Sequence, residues 1–327
     1  MRRLSFIGLL IGFAILTALV IREGLDILDQ ILDEIGWQIL WLPVFYTVPI
    51  LCAIASWWWL FEPRKHPSFR FSTYSVWISF AINWLLPVGQ VGGEIVRARM
   101  LIKRQFPKGE AIATVVGDQT LQVATQAVYT LVGFLLFAYT QLGDGTANLQ
   151  LLLAVLIGIV IFAAASSLLY WLQHAGLFKL FARIAKRFPM VRADEPLEAG
   201  AAKIDAALKR MYRRRDRLLV AALWRLAFRV TAAGETWLAF YFLGRPITIL
   251  DALILESIGQ AIRSAAFFIP SGLGAQEGAI VLVGSALGIP SGVALASSLC
   301  KRVRELVIGI PGLIAWQLEE GKRALGP

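Results

Sequence analysis

Long apolar runs separated by short clusters of charge set the pattern of this chain. Residues 4–21, 39–61, 111–140, 149–172, 218–243 and 293–318 are each apolar over nearly the length that a helix needs to cross a hydrocarbon core, about 20 residues. Two further apolar stretches, 71–87 and 247–269, end instead at a proline–glycine turn. The pattern predicts an all-α polytopic integral membrane protein with about six full spans and two re-entrant hairpins. Eight continuous spans are the alternative, because hydropathy alone does not measure depth.

The two interrupting turns are copies of each other. Pro87, Gly89 and Glu94 recur as Pro270, Gly272 and Glu277 at an offset of 183 residues, and seven positions are identical between residues 87 and 113 and their counterparts. Each copy places a helix breaker, a glycine-rich turn (Gly92 and Gly93 in the first, Gly274 in the second) and a carboxylate at the tip of an apolar segment. Arg70 and Arg97 flank the first hairpin with positive charge, the mark of the cytoplasmic side, whereas the span order brings the chain to the second from outside. Hairpins entering from opposite faces predict an inverted-topology repeat with a site near mid-membrane. The expected organisation is a single membrane domain over 1–327. Its first repeat half is about 39–172, its amphipathic cytoplasmic linker about 173–217, and its second half about 218–327.

Composition agrees, at 57% apolar, 17% charged and a mean hydropathy of +0.66. The net charge of +10 does not indicate nucleic acid, because the basic residues gather in loops beside apolar runs. Residues 173–217 hold twelve Lys/Arg against five Asp/Glu, ending in Arg213, Arg214 and Arg215. A helix over 196–217 resting on anionic lipid headgroups is one reading; an ordinary orientation signal is the other. Met1-Arg2-Arg3 before the first apolar run imitates a signal peptide, but no small-x-small cleavage site follows, so an uncleaved first span is expected. Cys52 and Cys300 sit in apolar segments without metal-ligand spacing, and His66 and His174 lie in loop or boundary positions. No metal site, cofactor, phosphate-cradling loop or hydrolase signature is read, and no enzyme activity is expected.

Charges inside the apolar runs carry the chemistry. A central Arg, Lys or Asp in a span costs roughly 2.5–3.5 kcal/mol, several times what one Leu or Phe returns. The last run contains Lys301, Arg302, Arg304 and Glu305. Lys301 would lie on the order of 12 Å below a helix start at Val293, so this cluster is expected to face partners or a wet cavity. A later helix start would leave it at the interface. Glu94 and Glu277 fall just past their turns, where the helix dipole favours a carboxylate; simple capping competes there with a binding role. Arg97 follows Glu94 by three residues, and Arg263 precedes the second turn. Asp118 occupies the repeat position of Lys301, and Gln122 that of Glu305, which predicts pairing across a pseudo-twofold axis. Arg225 and Arg229 share a helical face and are expected to hold an anionic headgroup or to bond to Glu235.

Asn83-Trp84-Leu85-Leu86-Pro87, Gly93-Glu94-Ile95-Val96-Arg97 and the segment Pro270-Ser271-Gly272-Leu273-Gly274-Ala275-Gln276-Glu277 together resemble the lysylphosphatidylglycerol synthase transmembrane-region family over nearly the whole chain. The ending, Arg302-Val303-Arg304-Glu305 before Pro311-Gly312-Leu313 and Trp316, looks like the stand-alone branch associated with hopanoid biosynthesis. The resemblance adds Asn83 to the candidate site and implies a lipid flippase of a bacterial inner membrane, with both termini cytoplasmic. The lipid would be a hopanoid, a phospholipid or a related isoprenoid lipid. The soluble synthase domain of two-part relatives has no counterpart here. Asp118-Gln119 stands where an Arg-bearing motif is expected, which leaves the headgroup class open. A membrane enzyme of lipid biosynthesis using Glu94 and Glu277 as acid and base, or a non-catalytic scaffold, are the other readings. Homo-oligomerisation and a lipid-biosynthesis partner are both compatible with the chain.

The topology has a direct test. In a background lacking Cys52 and Cys300, Gly89→Cys and Gly272→Cys are expected to react with impermeant thiol reagents from opposite sides of the membrane. Labelling of both from one side rules out the inverted arrangement.

Overall fold

The computed structural model describes residues 36–63, 65–86, 92–143, 160, 196–266, 269 and 273–324. The expected span over 4–21, that over 149–172 apart from residue 160, and the turn residues Pro87, Gly89, Pro270 and Gly272 lie outside the described residues. A short 3₁₀ turn over Gly36–Leu40 leads into α1 (Trp41–Trp59), followed by α2 (Phe69–Leu85), α3 (Gly92–Lys103) and α4 (Lys108–Gly143). After the linker come α5 (Pro196–Arg213), α6 (Arg215–Phe242), α7 (Ile249–Ala265), α8 (Ala275–Ala286) and α9 (Ser291–Ala324). The described residues form no strand.

Local chemistry accounts for these boundaries. Ser68 caps α2 by accepting from the Phe71 amide, and Thr248 with Asp251 forms a reciprocal capping box at the start of α7, each satisfying amides that have no partner within the helix. Pro43 is tolerated in the first turn of α1, while Pro49 lies inside the helix. Gly274 takes φ +75° directly before α8, a backbone state that side chains disfavour.

Helix limits recur at the offset of 183. The offset carries α3 onto residues 275–286, the bounds of α8, and Lys108, the first residue of α4, onto Ser291, the first of α9. Trp59, the last residue of α1, falls on Phe242, the last of α6. Contacts recur as well. The equivalent helices α1 and α6 pack along each other; α2 packs on α9, and α7 packs reciprocally on α4. Glycines permit close approaches: side chains at Gly309 and Gly312 of α9 would meet Leu85 at 2.7 Å and Ala81 at 2.8 Å on α2. Small residues of this kind drive helix association where lipid removes the hydrophobic contrast.

Large apolar side chains point outward. Trp41, Val44 and Val48 on α1, Val128, Val132 and Leu135 on α4, and Leu306, Val307, Ile310 and Ile314 on α9 are all exposed, while Lys301, Arg304 and Glu305 of α9 are buried. That inversion of the usual soluble pattern suits a lipid-facing exterior. Among the described residues, two helical segments, Gly36–Trp59 and 108–141, are long and apolar enough to cross a membrane on length and composition alone.

The linker helix differs from expectation. It was expected to run over 196–217, but α5 ends at Arg213, and Arg214 takes a non-helical conformation (φ −87°, ψ 71°) before α6 begins. Its apolar face is also not free for lipid. Ala207, Leu208 and Met211 are buried in the main core, and Met211 fills the space beside Gly117 of α4. Tyr212 donates to Thr120 Oγ1 at 3.2 Å, and Arg217 donates to the Trp59 carbonyl at 3.0 Å. The basic face of α5, including Lys209 and Arg213, stays exposed, as does Arg215 at the start of α6.

Gly93 offers a stability test of this packing. A side chain there would collide with the Ser79 backbone carbonyl and come within 2.6 Å of its Oγ. Gly93→Ala is therefore expected to destabilise by about 1–3 kcal/mol through overpacking, seen as a lower unfolding midpoint in detergent. Gly278→Ala, where nothing lies within 4 Å, is expected to be neutral or stabilising by up to about 1 kcal/mol. Equal midpoints would mean that α2 and α3 do not approach this closely.

Candidate functional site

A continuous seam of buried charge runs between the helices. Arg97, Asp118, Arg225, Arg229, Glu235, Glu256, Arg263, Glu277, Lys301, Arg304 and Glu305 are all buried. Arg302 is nearly so, and Glu94 is half-buried. Isolated ions in such a place would cost several kcal/mol each, so their partners explain why they are tolerated.

Around the second turn, Arg302 Nε pairs with Glu277 Oε1 at 2.7 Å, and Arg302 Nη1 with Glu305 Oε2 at 2.8 Å. Arg263 Nη1 reaches Glu305 Oε1 at 2.9 Å and Gln276 Oε1 at 2.7 Å. This chain of charges joins α7, α8 and α9. Arg304 makes a two-toothed pair with Glu235, Nε to Oε1 at 2.8 Å and Nη2 to Oε2 at 3.2 Å. Its guanidinium also stacks over the Tyr46 ring, 3.8 Å from the centroid. Lys301 pairs with Glu256, whose oxygens accept further from Thr236 at 2.7 Å and Gln260 at 3.0 Å.

The first half is arranged differently. Asp118 on α4 holds Arg97 Nη1 at 2.8 Å and also pairs with Arg225 of α6. Arg97 lies over the Trp57 ring, 4.7 Å from its centroid. One turn along α6, Arg229 has no carboxylate partner among the described residues; its Nη2 donates to the Gln122 carbonyl at 3.3 Å. Glu94 is held by neutral donors instead of a cation. Asn83 Nδ2 donates to both of its oxygens, at 2.9 and 3.2 Å, and Ser79 Oγ donates at 3.4 Å. Asn83 Oδ1 in turn accepts from the Gly93 amide at 2.9 Å, tying the start of α3 to α2.

Several expectations change here. α9 begins at Ser291, so Lys301 lies about 15 Å along the helix and not at its end. Asp118 and Lys301 do not pair across the repeat; each has partners on other helices. Glu235 is occupied by Arg304, not by Arg225 or Arg229. Glu277 is organised by Arg302, a member of the charged cluster of the last run. Asn83, by contrast, does reach Glu94. The sequence reading missed Glu256 altogether, although a carboxylate in the apolar run 247–269 meets the same criterion that selected Lys301. Tyr46 and Trp84, the rings over Arg304, left no sequence signal that separates them from other core aromatics.

Unsatisfied donors are more numerous on one side of the seam, although Arg304 Nη1 and Ser298 Oγ on α9 are also buried without a hydrogen bond among the described residues. Arg97 Nε and Nη2, Arg225 Nε, Arg229 Nε and the Tyr129 hydroxyl are buried and make no hydrogen bond among the described residues. A buried donor left without a partner costs about 1–3 kcal/mol. These groups lie on α3, α4 and α6, the arginines near Asp118 and Gln122, and Tyr129 further along α4. The described residues contain no cluster of His, Cys, Asp and Glu able to hold a metal ion.

The family described as Lysylphosphatidylglycerol synthase TM region matches residues 5–312. A UPF0104 membrane protein of Methanocaldococcus jannaschii is 25% identical over 315 residues, which cover 93% of this chain and 91% of that protein. No solved structure matches the chain.

The Glu235–Arg304 pair is a test of how the seam holds the helices. Glu235→Gln and Arg304→Gln are each expected to destabilise by about 3–5 kcal/mol, because each strands a buried partner charge. The double variant is expected to fall short of their sum by at least about 0.5 kcal/mol. Strict additivity in unfolding measurements would remove the pair from the seam.

Proposed function

The chain belongs to the lysylphosphatidylglycerol synthase TM region family and is a multi-pass membrane protein, and we propose that it moves a polar-headed lipid across the membrane. The observation that carries this reading is a surplus of donors on α3 and α6: Arg97 and Arg225 share the single carboxylate of Asp118, Arg229 donates to the Gln122 carbonyl one turn along α4, and each of the three keeps an N–H group unsatisfied among the described residues. A chain with an apolar exterior and buried cations of this kind suits a headgroup drawn into the protein while its acyl or polycyclic tail remains in lipid. Guanidinium groups bind planar or tetrahedral oxyanions with two teeth, so a phosphorylated head fits the three arginines better than a neutral polyol does. The candidates are a phospholipid, a phosphorylated isoprenoid lipid or a hopanoid.

In this reading the transport mechanism is binding and alternating access, with no covalent step. The recurrent helix limits and reciprocal contacts support two halves related by a pseudo-twofold axis, with hairpin tips opening to opposite faces. The setting is a bacterial inner membrane with cytoplasmic termini, and the exposed arginines of α5 face the anionic leaflet. Acid–base catalysis by the two repeated glutamates fits less well, because Glu277 is fully buried and its Oε1 is held by Arg302.

Purified protein reconstituted into vesicles of phosphatidylcholine with a fluorescent phosphatidylglycerol tests this reading. Loss of one charged hydrogen-bonding contact, about 1.5–3 kcal/mol, predicts that Arg229→Gln slows translocation by about 10- to 100-fold. Glu277→Gln is also expected to slow it, by releasing Arg302. Equal, protein-independent rates for parent and variants would leave a scaffold role in lipid biosynthesis.

A further inference from the structure

The two repeated glutamates occupy the same position in their copies and yet live in opposite chemical settings. Glu277 carries an arginine on one oxygen. Glu94 carries only the Asn83 amide and the Ser79 hydroxyl, with no ion pair among the described residues. Neutral donors of this kind accept a carboxyl group in either protonation state; an arginine partner holds it as the anion.

The charges near Glu94 are few. α3 packs against α2 and α4. From α2 only the neutral Ser79 and Asn83 face Glu94; from α4 it is Asp118, and from α3 itself Arg97. Arg97 stands three residues on, next to Glu94 on the same helix surface, but its Nη1 is turned to Asp118, and its Nε and Nη2 are buried without a partner. It is also one of the three arginines of the proposed headgroup site.

We propose that Glu94 is a proton-coupling site, and that it and the lipid headgroup compete for Arg97. This rests on the transport reading above. With a proton on Glu94, Arg97 stays with Asp118 and offers its unpartnered N–H groups to the headgroup. When the proton leaves, the Glu94 anion draws those N–H groups to itself, and the headgroup loses donors. Proton and lipid therefore favour each other's binding, and by reciprocity each raises the affinity for the other by the same factor. A proton taken from water on one side and released on the other would then accompany the lipid in the same direction. No covalent bond to the lipid is made or broken.

Two measurements test this. In infrared difference spectra of the protein in lipid nanodiscs, the parent is expected to show a protonated-carboxyl band that titrates with pH. Glu94→Gln removes this band, while Glu277→Gln and Glu94→Asp retain one. In phosphatidylcholine vesicles holding fluorescent phosphatidylglycerol, a pH difference is expected to shift the steady-state leaflet ratio by about tenfold per pH unit for one proton per lipid, away from the acidic side. Glu94→Gln makes the ratio insensitive to the gradient, and Glu94→Asp keeps the sensitivity. A parent that moves the probe with no response to the gradient overturns the coupling. A titrating band that survives Glu94→Gln overturns the proton site. If the parent moves no probe at all, the transport reading falls and the coupling with it, while the infrared arm still decides whether Glu94 is the protonated group.

Discussion

Burial of charge is the constraint on which the rest of this structure depends. Each ion in the seam would be costly alone, so each helix must sit where its charge meets a partner from another helix. Glu235–Arg304 joins α6 to α9, Lys301–Glu256 joins α9 to α7, and Asp118 gathers α3, α4 and α6. Apolar packing alone is undirected between helices that lipid solvates as well as neighbours do. The ion pairs supply direction. They set the rotation of the helices that carry them, and that rotation turns Val132 and Ile310 outward.

The seam is not uniform, and its unevenness separates a rigid part from an adjustable one. Around α7, α8 and α9 the cations and carboxylates are matched in a linked series, Glu277–Arg302–Glu305–Arg263. Moving any member would strand its neighbours. Around α3, α4 and α6, the guanidiniums of Arg97 and Arg225 share one carboxylate, and Arg229 leans on a backbone carbonyl. A group with unspent donors can exchange partners at little cost.

Much of the fold was legible before any coordinates. The paired turns marked where α3 and α8 begin, and the proline and glycine at 107 and 109, repeated at 290 and 292, stand at the starts of α4 and α9. Intramembrane charge identified most of the seam, because an ion in an apolar run needs a reason to be there. Partner choice was not legible. Repeat position places Asp118 and Lys301 at equivalent points along equivalent helices, which suggested that they meet. Which neighbour a side chain meets depends also on how each helix is rotated and where its neighbours' charges lie, and pairing by position alone carries none of that. The linker helix failed for a related reason. Its amphipathic pattern announces one apolar face, and that pattern is the same whether the face meets lipid or, as Met211 beside Gly117 shows, another helix.

Aromatic rings complete the account of how arginines persist in so dry a place. Arg304 lies over Tyr46 and Trp84, Arg97 over Trp57, and Arg229 near Phe228. A ring face attracts a cation without competing for its hydrogens, so an arginine can be anchored by stacking while some of its N–H groups stay uncommitted. Carboxylate partners do the reverse, consuming donors as they neutralise charge. Arg304 has both kinds of anchor and is fixed by its two-toothed pair with Glu235. Arg97 shares one carboxylate and relies on its ring for the rest, and Arg229 has only a carbonyl and a ring. Charge is thus held in the seam by two mechanisms, and where stacking predominates the protein keeps positive groups that are both buried and available.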